Sequence, residues 1–465
     1  MSTYIVKSKS AAQLSLHRRR AALTANDRQD LLDFGNVIAA ASVYKRGAQL
    51  MGALRCEDED RLLDFVVKRV RVLFASLVVE IPKPINQRFD RRFESFSNQW
   101  YRRNTRFHCM EHCKKAFLGL NFPLEIDGVH NSGTFILDNR CRVNCQEAFL
   151  VVLYKCTYPR RLEDITEVFG RDYSHWSRVI KFTLNWVLDR WSYLILSNFD
   201  YWVPMFPLFN AKVNEKILSL GFPPDDMPLL GRDQHGEHNV AMIIDCCIIQ
   251  INNVGTGPAT RGINAHRKDK LFQRAYFTGW KKLSGVKIQV IGFINGMDAV
   301  YGPVSCRRSD NYLRKASRII EELEFLQESS EKKYCAYGDS AYQRGTYMYT
   351  GGSGPNPTNR QKNEDACFCA VREPIEWGNK DLKNYFKGME FSGTLRLLNM
   401  AVFEMILFSI LMKNILCTFY GNQTSDYFKC KAPTFEEYTG RGAKYFNWRE
   451  AGEQPPEEEV NEEEV

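Results

Sequence analysis

The spacing of apolar positions divides the chain into a helical part and a later part that is rich in strands. Between residues 91 and 195 the apolar residues recur every three or four positions, which predicts amphipathic helices. One stretch there, "CQEAFLVVLYKC", is apolar almost throughout and predicts a buried helix. From Val240 to Ile251, "VAMIIDCCIIQI" is instead a continuous apolar run, and "KIQVIGFI" farther on alternates. Both later patterns are typical of strands, the first of a strand buried on both faces.

Two of the predicted helices are joined by a glycine. In "RLEDITEVFG" the apolar residues, Ile165 and Phe169 among them, fall on one face, and Gly170 stands where the helix would end. The next stretch, "RDYSHWSRVIKFTLNWVLDRW", has one apolar face and carries Arg178 and Lys181 on the other. This pattern predicts a segment like a helix-turn-helix. Arg178 and Lys181 would contact DNA in one interpretation and belong to a solvated helix face in the other, and the pattern leaves both open.

The later part has the predicted order β-β-β-α-β-α. Its last three elements are the amphipathic stretch "NYLRKASRIIEELEFL", the short strand "KYCAYGD" and a helix that starts or kinks at Pro374 in "REPIEWGNKDLKNYFKG". Helices that alternate with strands indicate an α/β domain built over a mixed sheet. The predicted organisation is an N-terminal extension of unknown function (1–90), a helical domain with the helix-turn-helix-like segment (91–195), a Pro-rich connector (196–235), the α/β domain (236–420) and a C-terminal segment with an acidic, disordered tail (421–465).

Charge favours a polyanionic partner. The net charge is +8, but the last sixteen residues carry eight Glu and no Lys or Arg, so the rest of the chain has 63 basic and 47 acidic residues, a net +16. Such a basic body suggests nucleic acid. The fourteen Cys and the absence of a recognisable secretory signal predict reduced thiols in the nucleus or cytosol. Charged and polar residues interrupt "LRLLNMAVFEMILFSILMKNILC", which predicts a buried helix rather than a membrane span.

Three carboxylates stand at positions that one site could use. Asp245 lies inside an apolar strand, where an ionised carboxylate is costly unless it is paired or bound to a metal. Asp339 ends a later strand in "YCAYGDSAYQ", although an Asp after Gly also often forms a turn. Glu376 follows in a helix beside Trp377. Together they predict an oxygen-rich pocket for two Mg²⁺ or Mn²⁺ ions, which prefer carboxylate ligands.

Six stretches, in order, resemble the Harbinger-type DDE transposases and their DDE-superfamily endonuclease relatives. They are "TYPRRLEDITEVFGRDYSHWSRV", "FQRAYFTGWKKLSGVKIQVI", "YGPVSCRRSDNYLRKAS", "AYGDSAY", "VREPIEWG" and "CTFYGNQTSDYF". The resemblance covers roughly residues 91 to 440.

The resemblance implies a ribonuclease H-like catalytic domain whose first Asp lies on the first strand, whose second follows the fourth strand, and whose Glu lies on a later helix. These roles fall on Asp245, Asp339 and Glu376, with Asp310 in "RRSDN" as an accessory acid. It implies a nuclear enzyme that cuts transposon ends and joins them to target DNA, as a homo-oligomer and together with a separate DNA-binding partner protein. Basic residues near the site would hold the DNA backbone: Lys281, Lys282, Arg307 and Arg308.

Several positions depart from the family pattern. Cys246 follows the first Asp, where the family usually has Gly, and Trp280, Ser284 and Ser309 stand where it usually has His. These departures leave a second hypothesis open, in which the chain is a domesticated transposase that binds DNA or other proteins but cuts nothing.

Overall fold

The computed structural model describes eight stretches of the chain: 91–125, 132–137, 141–195, 199–221, 239–252, 274–350, 356–395 and 400–440. The predicted extension at 1–90 and the acidic tail at 450–465 lie outside the described residues.

Helices dominate the described residues before 222. They are α1 (Asn98–Asn104), α2 (Met110–Gly119), α3 (Cys145–Thr157), α4 (Leu162–Phe169), α5 (Tyr173–Trp191) and α6 (Phe206–Ser219), with a small antiparallel hairpin of β1 (Thr134–Ile136) and β2 (Arg142–Asn144). The α3 helix is the predicted "CQEAFLVVLYKC" helix, and it is buried along nearly its whole length. That burial confirms the prediction that this apolar stretch forms a buried helix.

The predicted helix–glycine–helix segment is present. Gly170 ends α4 with a positive φ of 69°, a backbone conformation that glycine adopts without the strain other residues incur. Its carbonyl accepts a hydrogen bond from Trp176 Nε1 at 2.6 Å, which fixes α5 against the turn. The predicted apolar face of α5 is buried, whereas Arg178 and Lys181 are exposed on the opposite face.

The segment predicted as a connector contains a helix. The α6 helix begins at Phe206 with Pro207 in its first turn and buries Phe209, Val213 and Ile217. A proline is compatible with the first helical turn because the N–H it lacks would have no partner there. Pro207 therefore marks the start of a helix, not an irregular linker.

The later strands form one mixed sheet. They are β3 (Asn239–Gln250), β4 (Phe277–Thr278), β5 (Leu283–Phe293), β6 (Asp298–Ser305), β7 (Tyr334–Gly338) and β8 (Met348–Thr350). β3, β5 and β6 pair antiparallel, β4 pairs with the start of β5, and β7 and β8 continue parallel on the other side of β3. The protein is thus mixed α/β, as predicted.

Helices follow within and after the sheet: α7 (Asp310–Ala316), α8 (Ile319–Leu326), α9 (Asn359–Tyr385), α10 (Val402–Tyr420) and α11 (Gln423–Tyr427). One expectation was wrong here, and so was one of the two alternatives of another, the start of a helix at Pro374. The stretch predicted as one amphipathic helix is divided into α7 and α8 at Arg318, whose φ is 55°. The last predicted helix does not start at Pro374, because α9 begins at Asn359 and carries Pro374 inside.

A side chain from α11 compensates for Pro374. Proline lacks the N–H that would bond to the carbonyl four residues earlier, that of Ala370. The Tyr427 hydroxyl donates to this carbonyl at 3.2 Å instead. The helix can therefore continue through Pro374 toward the sheet, which places Glu376 in its middle.

The apolar helix α10 is long and apolar enough to span a membrane by length and composition alone, but 72% of its apolar window is buried inside the protein. That burial matches the predicted core helix. Lys413 in α10 forms a buried ion pair with Asp298 of β6. The described helices and the sheet share one hydrophobic core within one compact unit.

Candidate active site

Asp245 lies in the interior of β3 and is anchored by a helix. Its Oδ2 accepts a hydrogen bond from Asn379 Nδ2 of α9 at 3.1 Å. The pKa of Asp245 is raised to about 6, mainly by burial and in addition by the charges of Asp339 and Asp310, while the Cys246 backbone N–H and the Arg372 guanidinium act in the opposite direction. Asp245 is thus a partly desolvated carboxylate whose pKa the charges of two other acids raise.

Asp339 stands beside Asp245 because of the strand register. β3 and β7 run parallel with Ile244 paired to Gly338, so Asp339, the first residue after β7, follows at the level of Asp245 in β3. The Asp339 Oδ1 also accepts a hydrogen bond from the Ala341 backbone N–H at 2.8 Å. Asp339 is therefore a turn former and, at the same time, the nearest strand-end neighbour of Asp245.

Glu376 lies on α9 between two residues that act on Asp245. Its Oε1 accepts from Arg372 Nη2 at 2.8 Å, one helical turn earlier, and Asn379 follows nearly one turn later. Positions four before and three after a helical residue lie on its face, so Glu376 shares a face of α9 with Arg372 and Asn379. Its side chain remains 57% exposed. Among the described residues, no three His, Cys, Asp or Glu side chains form a group that could hold a metal ion.

Asp310 belongs to the opposite face of the sheet. Its Oδ1 accepts from Lys287 Nζ at 2.6 Å. Lys287 pairs with Ile248, which shares a face with Cys246, and successive strand residues such as Asp245 and Cys246 point to opposite faces. Asp310 is therefore held in an ion pair across the sheet from the other acids, and its charge reaches Asp245 only at longer range.

The predicted DNA-binding residues are all at the surface: Arg178, Lys181, Lys281, Lys282, Arg307 and Arg308. Lys281 and Lys282 lie in the turn between β4 and β5 beside Trp280, whose side chain is 86% exposed. An exposed aromatic ring among basic side chains is typical of nucleic-acid surfaces.

Three residues of the α9 face were missed by sequence reasoning: Arg372, Asn379 and Lys383. Burial raises the pKa of the Cys247 thiol, and the positive charge of nearby Lys383 acts in the opposite direction. Together with Glu376 they follow the i, i+4, i+7 and i+11 spacing of one helical stripe. The spacing is visible in the sequence, but only the packing of α9 against β3 shows that this face lies beside Asp245.

The oxygen atoms of Asn379 and of the carboxylates beside it are of the kind that bind a hard cation. The Asn379 amide oxygen is buried and, within the described part of the chain, has no hydrogen-bond partner, although its amide nitrogen bonds to Asp245. A buried oxygen without a partner is costly beside a carboxylate pair unless something neutralises it. Carboxylate and amide oxygens are the ligands that Mg²⁺ and Mn²⁺ prefer.

Comparison with known proteins gave no match at the level of family models, curated proteins or solved structures.

Proposed function

We propose that this protein is a metal-dependent DNA endonuclease of the transposase type, with a ribonuclease H-like domain that holds Mg²⁺ or Mn²⁺ at Asp245, Asp339 and Glu376. One observation carries the proposal: the parallel register pairs Ile244 of β3 with Gly338 of β7, so Asp339, the first residue after β7, follows beside Asp245, and its charge raises the pKa of Asp245. Two ionisable acids side by side repel each other, and the raised pKa of Asp245 reflects this in part.

The order of elements supports the ribonuclease H-like assignment. β3, β5 and β6 form an antiparallel meander, two helices follow, and β7 returns parallel to β3. Without the two-residue β4, Asp245 thus lies on the first strand of the sheet, Asp339 directly follows the fourth, and Glu376 lies on a later helix. These are the places that the resemblance implies for the three acids.

Different residues of the chain would have different roles at such a site. A divalent metal pair would activate the attacking oxygen and stabilise the leaving oxygen of a phosphodiester. Asn379 orients the Asp245 carboxylate, and the Ala341 backbone N–H fixes the Asp339 carboxylate at the strand end. Arg372 holds Glu376 at the surface of α9 and favours the ionised form of Asp245. Exposed Lys281 and Lys282 would hold the DNA backbone.

A nicking assay on element-end DNA with Mg²⁺ tests the proposal. We expect the native protein to cut, and Asp245→Asn, Asp339→Asn and Glu376→Gln to lose cutting at least about a hundredfold while still binding DNA, since each removes one ligand charge. Glu324→Gln, an exposed site on α8, is the matched control and should cut normally. Equal cutting by the native protein and the three variants would rule out this site.

A second candidate function is DNA binding without cutting, as in a domesticated transposase. Two observations favour it: Glu376 is already paired with Arg372, and no three acidic, His or Cys side chains of the described residues group as metal ligands. Sequence-specific binding by the native protein, with no cleavage in either Mg²⁺ or Mn²⁺, would identify this function.

A further inference from the structure

A pocket of about 480 Å³ opens beside the C-terminal end of α9. We call it the basic pocket and define it by its seven lining residues: Arg102, Arg106, His108, Tyr158, Asn384, Tyr385 and Lys387. Arg102 belongs to α1, and Asn384 lies in the last turn of α9. The pocket is separate from the carboxylates of the candidate active site.

The basic pocket concentrates positive charge without a counter-charge. Arg102, Arg106 and Lys387 contribute three cations, and no carboxylate lines the pocket. None of the three forms an ion pair with a carboxylate of the described residues. Burial and then the charge of Arg102 lower the pKa of His108, which is consistent with a positive local field. Cations brought together in this way repel each other, and a bound anion would offset that repulsion.

The two guanidinium groups are held in place before any ligand arrives. Arg106 donates through Nε to the Tyr385 carbonyl at 2.8 Å and through Nη2 to the Asn384 carbonyl at 3.3 Å, and it packs over the Tyr158 ring at 4.8 Å. Arg102 donates through Nε to the His108 carbonyl at 3.0 Å. Arginine has five N–H donors, so both side chains keep N–H groups for a ligand. An oxyanion with several acceptor oxygens, such as phosphate, matches this arrangement.

The helix α9 connects this pocket to the candidate active site. Asn379, which bonds to Asp245, and Tyr385, which bonds to Arg106, lie on the same helix. The six residues that separate them correspond to about 9 Å along the helix axis. One helix therefore contacts both the Asp245 carboxylate and an arginine of the basic pocket.

We propose that the basic pocket binds a backbone phosphate of DNA on the same strand as the bond that lies at Asp245 and Asp339. The placement relative to the cut rests on the proposed function, whereas the phosphate chemistry of the pocket does not. Free inorganic phosphate offers the same oxygens and is the other source of such a ligand.

The test compares two double variants that remove equal charge. Arg102→Gln/Lys387→Gln removes the positive charges of two side chains that line the pocket. Arg106 is kept because it also bonds to the end of α9. Lys332→Gln/Lys362→Gln removes two exposed lysines elsewhere and is the control. Arg102→Lys/Lys387→Arg keeps the charge and should restore binding. Binding of a labelled 20-base-pair duplex is measured over a range of salt concentrations with a chelator present, so that cleavage plays no part.

We expect the pocket variant to bind DNA more weakly for every sequence, with a plot of log K against log salt about 1 to 2 units shallower. The control should keep the native slope. A second arm measures melting in 50 mM phosphate against chloride of equal ionic strength. If phosphate raises the native melting temperature and the pocket variant loses only that response, the ligand is free phosphate. If neither DNA binding nor the phosphate response changes in the pocket variant, the proposal is overturned, whatever the outcome of the nicking assay.

Discussion

At the scale of single residues, the buried carboxylate of Asp245 depends on its contact with Asn379. A carboxylate inside an apolar strand loses hydration, and one amide hydrogen bond at 3.1 Å compensates for only part of that loss. The pKa of Asp245, raised to about 6 from 3.8, corresponds to about 2–3 kcal/mol against the ionised form in the folded protein. A residue that costs stability in this way is typical of functional sites.

Asp245→Asn should stabilise the metal-free protein at neutral pH. Because the folded protein binds the Asp245 proton more tightly than the unfolded chain does, the native free energy of unfolding falls as pH rises from about 4 to about 6. The Asn variant has no carboxyl group at this position, so its free energy of unfolding does not fall in this way. We expect it to be about 2 kcal/mol more stable than native at pH 7 and no more stable at pH 3.5. Urea unfolding with a chelator at the two pH values measures the difference, and a variant that is less stable at pH 7 would contradict the burial argument.

Two substitutions at Asp339 separate its role in the turn from its role as an acid. Asp339→Ala removes the acceptor of the Ala341 N–H and should destabilise the protein by about 1 kcal/mol. Asp339→Asn keeps an oxygen acceptor and should leave stability nearly unchanged, yet it removes the charge. If cleavage is lost in both variants, the charge matters. If Asp339→Asn cuts as well as native, Asp339 is only a turn former.

At the scale of elements, the strands β3 and β7 and the helices α3 and α5 were predictable because each carries an unambiguous apolar period. The helix α9 was predicted with the wrong start, since Pro374 was expected to begin or bend it and the hydroxyl of Tyr427 that replaces the missing donor comes from a distant segment. The parallel register that brings Asp245 beside Asp339 depends on pairing between segments far apart in the chain. Asn379 was missed for the same reason: its partner is defined only by the fold.

The contact between Tyr427 and α9 can be isolated with a double-mutant cycle. Tyr427→Phe should cost about 1 kcal/mol in the native background, because it leaves the Ala370 carbonyl without a donor. In the Pro374→Ala background the helix supplies its own N–H at that position, so the same change should cost clearly less. Chemical unfolding of the four proteins gives the coupling energy. Equal costs in the two backgrounds would show that the hydroxyl does not replace the missing helical donor.

At the scale of the whole molecule, the described helices and the sheet pack on one core. The buried pair of Asp298 and Lys413 joins β6 to α10, and the backbone N–H of Val300 in β6 donates to the Ile195 carbonyl of the helical part at 2.6 Å. One compact unit therefore contains the exposed face of α5, the basic pocket, and Asp245 and Asp339 of the candidate active site.

The central claim is that Asp245, Asp339 and Glu376 hold divalent metal, and direct titration of Mn²⁺ by calorimetry tests it without any DNA. The native protein and Glu324→Gln should bind Mn²⁺ with the same affinity, whereas Asp245→Asn and Asp339→Asn should each weaken binding at least about tenfold, because each removes a ligand charge. Native affinity in both Asn variants, or no binding by the native protein, would contradict the account.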